Sequence, residues 1–150
     1  MPEIDPKELL NHLHPHPYTL HEIAAALDTS VVALSQTCIP MPIQATEFHL
    51  HDRLKHVLEE SARVLEFKRV ATEATANATT SSTVKYFSTL EILGNLMNES
   101  QNSCRDLFDC SCPELETLTT LARRAGALGS RLTGTHWVTC NILVYIIRSC

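Results

Sequence analysis

Three of the chain's four glycines fall in one short stretch, Gly126-Ala127-Leu128-Gly129-Ser130-Arg131-Leu132-Thr133-Gly134. Glycine adopts positive φ without steric cost and lets backbone N–H groups approach an anion, and hydroxyls at Ser130 and Thr133 add donors. Residue types of this kind at this spacing suit a cradle for phosphate. Gly126, Gly129, Ser130, Arg131, Thr133 and Gly134 are therefore the candidate nucleotide-binding residues. Arg131 has two readings, a partner for nucleotide phosphate or an ion-pair partner for a carboxylate on a neighbouring helix. The continuation, Thr135-His136-Trp137-Val138-Thr139-Cys140, does not suit a cradle, because its bulky and β-branched side chains remove the conformational freedom of the first half.

Other groups with chemical potential are weaker candidates. His12, His14 and His16 alternate in a proline-containing segment, with His49 and His51 further on, but a metal wants three or four convergent ligands and exposed loop histidines are commoner. Cys110-Ser111-Cys112 lacks the two-residue gap of a zinc knuckle or redox motif. No metal site is assigned to either.

The elements that must position the glycine segment follow from periodicity and caps. Thr19-Leu20-His21-Glu22 has capping-box spacing and predicts a helix to about Leu27, with a second short turn through Val31, Val32 and Leu34. Leu50, Leu54, Val57, Leu58, Ala62 and Leu65 recur at helical spacing and predict a long helix over 45–73 with these residues inward. Residues 71–83, reduced to small and polar types, read as a fraying end and a linker. Helix resumes near Ser88, where Ser88-Thr89-Leu90-Glu91 repeats the box. Ser111-Cys112-Pro113-Glu114 starts another, with Ser111 as cap and Pro113 in the first turn. Gly126 closes that helix, and strands over 128–133 and 139–147 complete a β-hairpin.

Composition bounds the function. The 150 residues are one domain's worth of chain, and the formal charge of −5 disfavours a sequence-independent nucleic-acid binder, which needs a basic face. The apolar run from Asn141 to Ile147 is about half a membrane span and rich in β-branched residues. Met1-Pro2-Glu3-Ile4-Asp5-Pro6 has neither the basic start nor the apolar core of a secretory signal. No nucleic acid and no membrane are expected as partners, the location expected is cytoplasmic, and the six cysteines are expected as reduced thiols.

Six ordered segments then carry a resemblance: Leu54-Lys55-His56-Val57, Ala62-Arg63-Val64-Leu65-Glu66-Phe67-Lys68, Leu96-Met97-Asn98-Glu99-Ser100, Ser103-Cys104-Arg105-Asp106-Leu107, Cys110-Ser111-Cys112-Pro113-Glu114-Leu115 and Gly126 to Gly134. Together they resemble the C-terminal part of eukaryotic galactokinases and N-acetylgalactosamine kinases, members of the GHMP kinases, from about Leu9 to Gly134. The resemblance implies an α+β, mostly helical fold, an incomplete GHMP-kinase C-terminal domain with a terminal β-hairpin, and residues 135–150 as a divergent tail.

It further implies transfer of phosphate from ATP, with Mg2+, to the anomeric hydroxyl of galactose or N-acetylgalactosamine. The glycine segment is the family's third motif, beside the phosphate loop. Where family members continue with Gly, Trp and two further Gly before a Cys, this chain keeps Trp137 and Cys140 but carries His136, Val138 and Thr139. Each replacement at a position requiring positive φ costs about 1–3 kcal/mol. The 150 residues contain no Pro-x-Gly-Gly-Gly-Leu-Ser-Ser-Ser-like run, so no catalytic residue is assigned. The expectation is a truncated product of a galactokinase-type gene, inactive by itself. An alternative is an interaction module that associates with another protein, such as a full-length homologue.

Overall fold

The computed structural model describes residues 6–38, 45–76, 83–133 and 141–147. The chain divides into two compact units, Met1–Lys55 and His56–Cys150.

In the first unit three short helices are set by local signals. α1 spans Pro6–His12, α2 Leu20–Ala26 and α3 Val31–Cys38. The Thr19 box forms as expected: Glu22 N–H donates to Thr19 Oγ1 at 3.3 Å and Thr19 N–H donates to Glu22 Oε2 at 2.7 Å. Asp28, at φ +49°, turns the chain out of α2, and Ser30 Oγ accepts from Ala33 N–H at 3.1 Å to start α3. Tyr18 and Phe48 exchange two backbone hydrogen bonds of 2.9 Å. Only Ala24 and Leu34 are buried among the described apolar residues of this unit. α1 is an element that periodicity does not announce, a proline-led helix of seven residues, about two turns.

Helix α4, Leu50–Ala76, begins later and ends later than expected, so part of the presumed linker is helical. Residues 77–82 lie outside the described residues. α5 spans Thr83–Asp106, which places the Ser88–Glu91 box inside the helix. Such spacing satisfies donors only where the preceding turn is missing, and here that turn exists. α6, Pro113–Arg124, is capped by Cys112 in extended conformation with no side-chain bond. Ser111 does not cap it. Its hydroxyl donates instead to Glu116 Oε1 at 2.6 Å. At the other end Gly126 takes φ +102° and its N–H donates to Arg123 O at 3.0 Å, the closing role expected of it.

Strands β1, Ala127–Thr133, and β2, Asn141–Ile147, pair antiparallel, with Gly129 opposite Tyr145 and Arg131 opposite Leu143. The fold is thus α+β and mostly helical, with the expected hairpin strands; the connecting turn lies outside the described residues. The core about β1 contains Cys104, Leu115 and Leu132. The expected inward stripe of α4 is only partly inward: Leu50, Leu54 and Leu58 are half-buried, whereas Val57 and Leu65 are 51% and 68% exposed. Helical spacing identifies a face but not whether anything covers it.

Candidate functional site

The glycine segment is a strand held against α5 at very short range. Gly129 and Gly94 lie backbone to backbone: a Cβ on Gly129 would collide with the Gly94 carbonyl oxygen and come within 2.6 Å of its Cα, and one on Gly94 would come within 2.7 Å of the Leu128 carbonyl. Neither position tolerates a side chain. The glycine at 129 is thus a close-approach residue, and its role could not be inferred without its distant partner.

This proximity lets α5 side chains stand in for a missing strand. Asn98 Nδ2–H donates to Leu128 O at 2.9 Å while Asn98 Oδ1 accepts from Ser130 N–H at 3.1 Å. Gln101 Oε1 accepts from Leu132 N–H at 2.7 Å, and Gln101 Nε2 donates to Glu116 Oε1 at 2.6 Å. The carbonyl of Leu128 and the N–H groups of Ser130 and Leu132 therefore have partners on α5, as buried backbone groups require. Burial pushes the Glu116 carboxyl up, but hydrogen bonds from Ser111, Gln101 and Arg105 outweigh it and leave the carboxyl below its ordinary value.

A second polar cluster joins β1 to α4. Arg131 Nη1 donates to Glu60 Oε1 at 2.7 Å, Arg63 Nε to Glu60 Oε2 at 3.0 Å, and Ser100 Oγ to Glu60 Oε1 at 2.7 Å. Burial raises the Glu60 carboxyl, yet the Ser100 and Arg63 hydrogen bonds and the Arg131 charge prevail and hold it below the glutamate range. Nearby, His56 is buried, with Nδ1 2.9 Å from Ser103 Oγ and its ring centroid 4.7 Å from that of Phe108. Burial lowers its affinity for a proton; Glu60 pulls the other way, while Arg63 and Arg131 reinforce the lowering.

These contacts locate the candidate residues. Arg131 is an ion-pair partner for a helix carboxylate, the second of its two readings. Ser130 is 1% exposed, and its hydroxyl has no hydrogen-bond partner among the described residues. Gly126 is a helix cap, Gly129 a packing contact, Thr133 half-buried at the strand's end, and Gly134 lies outside the described residues. An anion cradle needs converging uncommitted donors. The amides of Ser130 and Leu132 are committed to Asn98 and Gln101 and do not serve such a cradle, while the buried Ser130 hydroxyl is uncommitted among the described residues.

Asn98, Ser100, Gln101 and Glu60 are the residues that sequence reasoning missed. Glu59 and Glu60 are both spaced to pair with Arg63 along α4, at 3.6 Å and 3.0 Å, and Glu60 makes the shorter contact. Among the described residues no three His, Cys, Asp or Glu side chains form a group able to hold a metal. His14 instead stacks on Tyr18 at a centroid distance of 3.8 Å. No described helix is long and apolar enough to cross a membrane.

A helix backed onto a glycine-containing hairpin strand is the arrangement over residues 83–145, and those residues match the family described as GHMP kinases, C terminal. This segment is what a GHMP kinase C-terminal domain looks like in this chain. Within that family its relatives are galactokinases. It is 40% identical over 132 residues to a galactokinase of Dictyostelium discoideum, covering 83% of this chain and 26% of the relative. It is 35% identical over 126 residues to one of Saccharomyces cerevisiae, covering 83% and 22%, and 35% identical over 112 residues to one of Roseiflexus sp., covering 74% and 23%. The chain spans about a quarter of the length of these relatives.

Proposed function

We propose that these residues form the C-terminal frame of an ATP-dependent galactose kinase that phosphorylates the anomeric hydroxyl, and that they do not turn over substrate unaided. The similarity to galactokinases over 83% of the chain is the observation that carries this reading. In it, ATP and Mg2+ supply the transferable phosphoryl group and neutralise its charge. The chain's part is to hold β1 rigid: Gly126 starts the strand, Gly129 seats it on α5, Ser130 fills the buried layer, and Arg131 ties it to Glu60. Thr133, which ends β1, and Gly134, which follows it in sequence, are the positions assigned to the nucleotide side. Phosphoryl transfer depends on positioning acceptor, metal and phosphates together, and the acceptor-binding groups belong to the remainder of such an enzyme. Galactose is the assigned acceptor, with N-acetylgalactosamine the alternative, and the cytoplasm the assigned location.

The test is a chimera in which these residues replace the matching part of the Dictyostelium galactokinase. Galactose 1-phosphate formation by the folded chimera, and none above background from the 150 residues with ATP, magnesium and galactose, is expected. A folded but inactive chimera refutes the frame role, and turnover by the chain unaided refutes the inactivity.

A second reading, a non-catalytic module that associates with a full-length homologue, draws on the exposure of Val57, Val64 and Leu65 on one helix. Size-exclusion chromatography distinguishes it: a monomer that ignores a full-length galactokinase contradicts association.

A further inference from the structure

The hairpin has two outer edges, and the bonds from β1 to α5 fix which backbone groups point to each. In an antiparallel pair, opposite residues alternate between exchanging both hydrogen bonds and turning both N–H and C=O outward. Ser130 and Leu132 give their N–H groups to Asn98 and Gln101, so they belong to the outward set. Their register partners Val144 and Ile142 are therefore outward on the opposite side, and alternation along β2 adds Ile146. Gly129 with Tyr145 and Arg131 with Leu143 are left as the pairs that bond the two strands together.

The two edges then differ. On β1 the outward groups are met by Asn98 and Gln101 of α5. On β2 no further strand is present among the described residues, since the sheet has the order β1-β2. Edge strands are ordinarily guarded by charge, proline or a bulge. Over Asn141–Ile147 there is neither a charged residue nor a proline, and the register with β1 runs without a bulge across residues 129–133. Ile142, Val144 and Ile146 are all β-branched, the types that favour extended backbone.

We propose that this edge is a self-association surface, and that its occupant is the β2 edge of a second copy of the chain. The strand is its own complement. Its middle residue, Val144, belongs to the outward set, so a two-fold axis through it pairs Val144 with its own counterpart and Ile142 with the counterpart of Ile146. The three outward positions then exchange about six backbone hydrogen bonds between copies. No other symmetric register leaves all seven strand residues paired. A strand of different sequence has no such built-in alignment. Isologous contacts of this kind close on themselves, and growth stops at two copies because Asn98 and Gln101 already occupy the far edge of β1. The product is a four-stranded sheet, which is self-supporting where a lone hairpin is marginal. The proposal stands on backbone geometry and does not draw on the kinase reading.

The test is sedimentation and amide exchange of the 150-residue chain, kept reduced, over a dilution series. A monomer–dimer equilibrium is expected, with the amides of Ile142, Val144 and Ile146 protected at least about tenfold more at the concentrated end, while Leu143 and Tyr145 keep the same protection throughout. Val144→Pro removes an N–H that β1 does not use, at an edge position where proline is tolerated. It should weaken dimerisation at least about tenfold and leave Leu143 and Tyr145 protected. Val144→Lys keeps the N–H but sets two like charges opposite each other across the axis, so it should weaken the dimer less at high salt than at low.

A monomer at every concentration overturns the proposal. So does a dimer in which the three outward amides stay unprotected, or one that ignores both Val144 variants while they remain folded. Assemblies that grow beyond two copies overturn the closure attributed to Asn98 and Gln101. A folded galactokinase chimera that is monomeric with the same three amides protected replaces the second copy by a strand from the rest of the enzyme, whether or not that chimera turns over galactose.

Discussion

Helix α5 has two seams, and they are built on opposite principles. Against β1 it presents a glycine and the side-chain amides of Asn98 and Gln101, so backbones meet with almost no intervening volume. Against α4 it presents Ser100 and Ser103, which reach Glu60 and His56 through side chains, and beside these contacts a cavity remains. The first seam has no room and no titrating group in its direct contacts. The second is held by charge, contains space, and leaves Val64 57% exposed at its margin. Close packing makes the first intolerant of volume, while the second is sensitive to charge and pH.

The largest expected effect therefore comes from adding one carbon to the tight seam. Gly129→Ala should destabilise the chain by about 3 kcal/mol, since the added Cβ meets backbone and no rotamer change relieves it. Urea midpoints with unchanged slope measure this, and a loss under about 1 kcal/mol would mean that the helix and strand separate easily. Next comes Asn98→Ala, which leaves Leu128 O and Ser130 N–H without their partner at a cost of about 2 kcal/mol. Amide exchange at Ser130 should accelerate in this variant while Leu132, bonded to Gln101, stays protected. Equal acceleration at both would show that Asn98 and Gln101 act as one unit.

In the looser seam the effects are smaller. Glu60→Gln should cost about 1–2 kcal/mol at neutral pH, less than a fully buried pair, because the Arg131 side chain keeps 29% exposure and turns to water. Its acid dependence also changes. Glu60 has a lowered folded-state pKa, so its contribution is present above the unfolded glutamate value and is lost as pH falls through the lower folded value. The native chain should thus lose stability in acid that Glu60→Gln no longer has to lose. Parallel acid titration curves would remove Glu60 from the seam.

How much of this was legible in the sequence depends on the range of the signal. Thr19 with Glu22, and Gly126 after Arg123 and Arg124, are local patterns whose partners sit within one turn, and both formed as read. The glycine segment was recognised as special, but its type alone suggested phosphate, whereas Gly129 answers to Gly94 and Ser130 to Asn98 on another element. The stripe on α4 was a true helical face; its exposure depends on what covers it, which periodicity does not encode. Glu60 was hidden by its neighbour, since Glu59 and Glu60 both lie at pairing distance from Arg63 along a helix and only Arg131 and Ser100 select between them.

His56 gives the smallest and most discriminating effect. It is a base with a lowered folded-state pKa, chiefly from burial, opposed by Glu60 and assisted by Arg63 and Arg131. The unfolded chain takes up the proton first, near the ordinary histidine value of about 6.5, so His56 favours folding fully above that pH and less as pH falls toward its folded value. Stability of the native chain should decline between pH 7.5 and 5.5, and His56→Gln should flatten the decline. In Glu60→Gln the opposing carboxylate is gone, so the decline should steepen. The comparison of seams adds a spatial requirement: over the same pH range, protection of the Ser130 and Leu132 amides should persist longer than that of the helical amides around His56, because nothing that bonds them titrates there. Simultaneous loss of both would show one cooperative contact surface around α5 in place of two.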